Sequence, residues 1–415
     1  MIHQWQISHR CDIRQEARQT NHVGDTQLLS GKLKVARRAN VAPFIAMDVL
    51  AAANARAAAG QDVIHLEVGE PGGGPPEAVL EAARRALGRM RLGYTEALGR
   101  PELRQAIARH YDITYGRSVD PGQVIVTVGA SGAFVLAFLA AFDPGDRVVV
   151  PEPAFPAYKN ILQALGVEVV RLGLGPETGF RPTIDQLTAI DGPVHGLVVA
   201  SPSNPTGVML APEELGDLAR HCAARGIRLI VDEIYHGITY ERPASTILEF
   251  TADAIVINGF SKYFCMTGWR LGWMVAPPDL VRPVELLAQN LFISAPALAQ
   301  EAAITAFDCR AELDERIALY RRNRATCLEL LPAGGLDRLA PVDGAFYLYA
   351  DVSHLTDDSA ALCEQLLADT GVALTPGADF DSVDGHRFVR LAYACEHGQV
   401  SAGCQRLVAW LRRRS

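Results

Sequence analysis

The sequence predicts an α/β protein: a buried, mostly parallel sheet between helices, followed by a smaller α+β domain. Three observations carry this. First, seven short runs are apolar almost throughout: "VIVTV" 124–128, "RVVVP" 147–151, "VEVVRL" 167–172, "GLVVAS" 196–201, "RLIVDE" 228–233, "AIVING" 254–259 and "LGWMVA" 271–276. Strands that alternate apolar and polar residues have one wet face, whereas runs apolar throughout are covered on both faces. Second, helix-length segments separate most of these runs, the pattern of a sheet wound with crossover helices. The gap between the last two is short, which permits a reversed final strand. Third, after about residue 296 the pattern turns helical. There "AALCEQLLADTG" and "VSAGCQRLVAWLRRR" flank two strand-like pieces near 345–350 and 387–393.

Taken in order, residues 1–30 are polar and without clear periodicity, and read as a disordered arm or an over-long start. From about residue 46, "AMDVLAAANARAAAGQDV" is alanine-rich and helical, closed by Gly60. Residues 31–70 are expected to join the small domain, 71–300 to form the large domain and 301–415 the rest of the small one. The run "GAFVLAFLAAF" at 132–142 is too short to span a bilayer and reads as a buried helix. At 415 residues, 49% hydrophobic and 21% charged, the chain is ordinary for a soluble protein with a large core. A net charge of −8 without a basic block argues against a general nucleic-acid partner, and the sequence offers no membrane segment. Eight cysteines show neither CxxC nor zinc spacing, so no metal site is expected. With no secretory signal at the start, reduced thiols in the cytoplasm are the expectation.

Lysine usage marks the chemistry. Only Lys32, Lys34, Lys159 and Lys262 are lysines among 39 basic residues, and Lys262 lies in the apolar, glycine-flanked stretch "NGFSKYFCMTGWRLGW", 258–273. A primary amine can lose its proton and attack a carbonyl, which a guanidinium cannot. The plainer alternative is a lysine snorkelling from a core edge.

Other candidates sit at strand ends, where open α/β sheets bind ligands. Gly129, Ala130 and Ser131 lead from a strand into a helix whose free N–H groups suit a phosphate, although many βα turns look alike. Asn204 lies between two prolines in "SPSNPTG", as a rigid amide donor or a simple turn. Asp232 ends an apolar strand with Tyr235 three residues on; it is either a buried carboxylate with a cationic partner or a helix cap. Ser261 and Arg270 flank Lys262. Arg390, in the apolar run "RFVRLAYA", needs a partner, either a ligand carboxylate or an internal salt bridge.

Together these segments resemble the class I/II aminotransferases, fold-type-I enzymes that use pyridoxal 5′-phosphate. The resemblance rests on "GEP" 69–71, "YTEALGRPELRQAI" 94–107, "PAFPAY" 153–158, "SPSNPTG" 201–207, "VDEIY" 231–235, "GFSKYFCMTGWRLG" 259–272 and "VRLAYA" 389–394, in that order. It covers about residues 33–413, with Cys265 a small departure in the lysine motif.

The resemblance implies a mostly parallel seven-stranded sheet and a role for each candidate. Lys262 forms the Schiff base and moves the substrate proton. Asp232 holds the pyridine nitrogen protonated, Asn204 and Tyr235 bond the ring oxygen, and Phe155 stacks on the ring. Gly129, Ala130, Ser131, Ser261 and Arg270 bind the phosphate, with Tyr94 reaching the site of the neighbouring subunit in a homodimer. Arg390, Gly69 and Asn204 hold the substrate. The implied activity is ping-pong transfer of an amino group from an L-amino acid to a 2-oxo acid. A carbon–sulfur β-lyase of the same fold shares every cofactor residue. A non-enzymatic regulator would need a DNA-binding domain that 30 polar residues cannot supply. Aspartate-specific relatives often carry a lysine where this chain has Ser131, so an apolar, aromatic or broad donor range is expected. Apolar segments "NVAPF" 40–44 and "LFISAP" 291–296 are pocket candidates.

Overall fold

The computed structural model describes residues 33–414; the expectation for the arm at 1–30 lies outside the described residues. In chain order the strands are β1 (Ile64–His65), β2 (Val124–Thr127), β3 (Arg147–Glu152), β4 (Glu168–Gly173), β5 (Gly196–Ala200) and β6 (Arg228–Asp232). They continue with β7 (Ile255–Gly259), β8 (Gly272–Val275), β9 (Tyr347–Asp351), β10 (Val372–Ala373), β11 (Thr375–Pro376) and β12 (Phe388–Ala392). The seven apolar runs become the seven strands β2 to β8 of one sheet, ordered β2-β8-β7-β6-β5-β3-β4.

Pairs among β3 to β7 are parallel, whereas β8 runs antiparallel to both β7 and β2. Only a short loop with one 3-10 turn, Thr267–Trp269, joins β7 to β8, too little chain for a crossover helix. The other six strands therefore end at one rim of the sheet.

Alternate strand residues feed two separate layers, as the pleat requires. Val126, Val149, Leu197, Val231 and Val256 pack in one apolar core, while Ile125, Val148, Val198, Ile230 and Ile255 pack in the other. The expected buried helix is Gly129–Ala141, whose Phe134 and Phe138 lie in the second layer. A third core gathers β9, β12 and the helices Arg310–Ala333 and His397–Arg412. Here β12 pairs antiparallel with β9 and β11. The alanine-rich helix expected from residue 46, named α1, spans Ile45–Ala58, and Gly60 just beyond it takes φ +80°. After it, β1 pairs in parallel with β10, so the chain near residue 64 is tied to the C-terminal part. Residues 38–414 form one compact unit; residues 33–37 belong to the preceding one.

Candidate active site

The rim of the sheet faces a cavity of about 570 Å³. Eleven of the thirteen residues singled out in the sequence line it; Gly129 and Tyr94 do not.

Lys262 follows β7 on the loop that leads back into β8. Its Nζ donates to Gly69 O at 2.6 Å and lies 6.0 Å from the centre of the Tyr235 ring. Burial, reinforced by the positive charge of Arg390, lowers the amine from 10.5 to about 8; Glu70 and Asp232 oppose the shift. An amine with that pKa is available as a nucleophile near neutral pH.

Asp232 is the last residue of β6 and is buried. Its Oδ2 accepts from Tyr158 OH at 2.5 Å and its Oδ1 from the Ile234 amide at 3.0 Å. Desolvation raises its pKa to about 6 despite both bonds and the charge of Lys262. No helix follows Asp232 among residues 233–246, so a helix cap is not its place. Tyr235 is also buried, and its hydroxyl shares a 2.7 Å hydrogen bond with that of Tyr347.

At another part of the cavity, Ala130 and Ser131 begin the helix that follows β2, beside Ser261 and Arg270. Arg270 sits in the left-handed region at φ 51°, and its Nη1 donates to Thr267 O at 2.9 Å. Gly129 serves this arrangement from behind: a Cβ there would lie 2.6 Å from Arg270 Nη2, on backbone at φ +68°. Free helix amides, a hydroxyl and a guanidinium make a place for a dianion.

Arg390, in the middle of β12, is only 2% exposed. Its Nη1 donates to Asn204 Oδ1 at 2.8 Å, and its Nη2 donates to Glu67 O at 2.5 Å and Thr375 Oγ1 at 3.3 Å. The guanidinium lies 4.5 Å from the Tyr347 ring and 4.6 Å from the Phe380 ring. Among the described residues none of its hydrogen-bond partners is a carboxylate, and its Nε is buried without a partner. The internal salt bridge is thus not its resolution. A buried arginine in that condition fits a carboxylate arriving from outside.

Phe155 lines the cavity and meets Phe44 edge-on, with ring centres 5.8 Å apart. Phe44 was flagged in the sequence with residues 40–44, and Met47 and Leu50 of α1 continue the same apolar wall. None of residues 291–296 lines the cavity of this chain. Tyr94 is 84% exposed. Sequence reasoning missed Tyr158 and Tyr347. The first was legible only as the end of "PAFPAY", and the second carries no local signal. Tyr347 also explains Gly69, where a Cβ would lie 1.9 Å from the Tyr347 hydroxyl.

Comparison with known proteins fits this geometry. The family model for aminotransferase class I and II matches residues 61–407. A valine–pyruvate aminotransferase from Mycobacterium tuberculosis is 50% identical over 382 residues, covering 91% of this chain and 98% of that protein. A crystal structure of an aminotransferase from the same organism superposes with a TM-score of 0.90 at 49% identity, covering 92% and 99% of the two chains. Aspartate aminotransferase from Thermus thermophilus, solved with maleate, gives 0.86 at 34% identity, covering 91% and 99%. Among the described residues no helix is long and apolar enough to cross a membrane. A cavity that gathers an amine, a buried carboxylate and an arginine without a carboxylate partner, in a chain matched over most of its length, places this protein in the class I and II aminotransferases, a family of amino-transferring enzymes that work with pyridoxal 5′-phosphate.

Proposed function

We propose that the cavity holds pyridoxal 5′-phosphate on Lys262. The enzyme then passes the amino group of a branched aliphatic L-amino acid of the valine type to a monocarboxylic 2-oxo acid such as pyruvate, in ping-pong fashion. The observation that carries this reading is Arg390: a buried arginine without a carboxylate partner, lining the same cavity as a lysine with a lowered pKa. The substrate class rests on the relative at 50% identity. It rests also on the apolar wall that Phe44, Met47 and Leu50 give the cavity.

The residues present fit the cofactor. Asp232 is a buried carboxylate whose hydrogen-bond partners are a phenol and an amide, which leaves its charge to stabilise a pyridinium proton. Ala130, Ser131, Ser261 and Arg270 would take the phosphate, with Gly129 keeping space for Arg270. Phe155 would cover a ring face. When bound, pyridoxal phosphate supplies a carbonyl carbon for the amine and a ring that takes up negative charge from the substrate Cα.

The chain's own groups do the rest. Lys262, with its pKa near 8, carries the substrate proton away and returns it. Arg390 grips the α-carboxylate with a planar fork and so fixes which Cα bond faces the lysine. Asn204 gives its Oδ1 to Arg390, leaving its Nδ2 to donate towards the ring oxygen beside Tyr235. The amide N–H of Gly69 is proposed to assist at the carboxylate.

The working unit is proposed to be a cytoplasmic homodimer, in which exposed Tyr94 completes the phosphate site of its neighbour. Residues 71–300 are read as the large domain, since β2 to β8 all fall within it. Residues 31–70 join 301–415 as the small one, supported by the pairing of β1 with β10.

A donor screen tests the reading. Valine, alanine, phenylalanine and aspartate are offered with pyruvate or 2-oxoglutarate, and both products are measured. Valine with pyruvate is expected to lead. Preference for aspartate overturns the substrate class, and release of pyruvate and ammonia from a β-substituted donor reveals a lyase.

A further inference from the structure

We propose that Asp379 is a positioning residue: its carboxylate docks the first turn of α1 over the cavity, so that Phe44, Met47 and Leu50 form the wall that reads the substrate side chain. This rests on the valine-type reading above for the choice of donors.

A helix needs partners for its first N–H groups, and α1 has no cap of its own, because Phe44 precedes it and offers no side-chain acceptor. The acceptor comes from far along the chain. Ile45 N donates to Asp379 Oδ1 at 2.8 Å and Ala46 N to Asp379 Oδ2 at 3.2 Å. Asp379 is 3% exposed and ends the 3-10 turn Gly377–Asp379 that follows β11.

That turn is firmly seated. The carbonyl of Phe380 accepts from Ala154 N at 3.0 Å, next to Phe155, and the Phe380 ring packs on Arg390 at 4.6 Å. Arg171 donates to Asp381 at 2.9 Å, and Ser382 Oγ donates to Glu152 at 2.7 Å. By contrast, the start of α1 has few other anchors: Phe44 meets Phe155 edge-on and Asn160 Nδ2 donates to Ala42 O at 3.3 Å. Ala46 is buried, but Met47 is 51% exposed. The C-terminal half is held separately, with Ala53 packed against Leu367 and Ala373. Loss of Asp379 thus removes the acceptors of the first two amides and loosens the first turn, while the rest of α1 stays docked.

The same carboxylate also links two kinds of recognition. Arg390 reads a group that every amino acid has, whereas the α1 wall reads only what lies beyond Cβ. A donor with a branched side chain uses the wall, and alanine, with one methyl, gains little from it.

The test uses the cofactor-loaded enzyme with Asp379→Ala and Asp379→Asn, the second keeping one acceptor oxygen. In Asp379→Ala, amide exchange across residues 44–50 is expected to quicken about tenfold, with residues 53–58 unchanged. KM for valine is expected to rise about tenfold with kcat held, and KM for alanine to stay level. Asp379→Asn should recover most of both effects. Unchanged exchange at 44–50, an equal rise in KM for both donors, or an Asn variant no better than Ala overturns the proposal. If the wild-type enzyme does not use valine at all, the substrate reading fails, whereas the exchange result still decides the docking role of Asp379.

Discussion

The sheet rim and the α1 wall enclose one cavity but are held in opposite ways. On the rim, Asp232 ends a strand paired on both sides, and Lys262 lies on the short loop that turns β7 back into β8. On the wall, Met47 and Leu50 project from a helix with few buried residues, fixed at its start by one distant carboxylate. Groups that handle protons need fixed positions, because small displacements cost large factors in rate. A wall that reads side-chain shape works through apolar contact, which is weak per atom and tolerant of movement. The two sides are therefore expected to respond to substitution by very different amounts, with the rim affecting every donor and the wall only some.

The largest break in that comparison is at Lys262. Lys262→Arg keeps the positive charge but not a titratable amine. Turnover is expected to fall on the order of 10⁴-fold or more for all donors. Borohydride reduction of the loaded protein should no longer attach the cofactor covalently. Attachment found instead at Lys32, Lys34 or Lys159 by peptide mapping would remove Lys262 from its role.

Asp232→Asn comes next. The amide preserves shape and can still meet Tyr158 and Ile234, but it carries no charge to hold a pyridinium proton. A rate loss on the order of 10³-fold is expected with little change in melting temperature. Near-normal turnover would leave Asp232 as a structural residue of the β6 turn.

Much of this side could be read from the sequence, for a physical reason. Strands buried on both faces leave long apolar runs, so a polar residue inside one is conspicuous. Asp232 after "LIV", Arg390 in "RFVRLAYA" and Lys262 in its glycine-flanked stretch all stand out in that way. The wall side was only partly legible. Phe44 was flagged by its apolar neighbours, but Asp379 on the wall side, like Tyr158 at Asp232 and Tyr347 at Tyr235, acts through contacts tens to hundreds of residues away. β1, β10 and β11 are two residues long, too short for any period to show.

Arg390→Lys tests the boundary between the two sides, since Arg390 stands on β12, outside the seven-stranded sheet, yet is expected to serve every donor. Lysine retains the charge and loses the second point of contact. A drop in kcat/KM of about 10²-fold, or roughly 2–3 kcal/mol, is expected by a common factor for valine and alanine. A lower melting temperature with kinetics intact would instead make Arg390 a purely structural residue.

A pH experiment then sharpens the rim alone. Lys262 is charged below about pH 8 and neutral above it, whereas an exposed lysine stays charged until about 10.4. Reductive labelling of Lys262 by an aldehyde in the cofactor-free protein should rise about tenfold from pH 7 to pH 9, following the neutral fraction. Because Arg390 is among the causes of the lowered value, Arg390→Met should move the midpoint upward. A Lys262 profile that rises about a hundredfold over the same interval, as for an exposed lysine, would show that the cavity does not depress the amine.

The smallest effect is expected on the wall. Leu50 lines the cavity from α1 and is partly exposed, so Leu50→Ser removes apolar contact without emptying a sealed core. Loss of such a partial contact is worth about 1 kcal/mol, a change of roughly fivefold. The loss should fall on KM for valine, leave alanine unaffected and spare the Lys262 labelling profile. The direction of change in donor preference is the informative quantity, because the rim has no means to distinguish these two donors. A fivefold loss shared equally by valine and alanine would mean that Leu50 acts on the common machinery, and the division between a rigid rim and an adjustable wall would not hold.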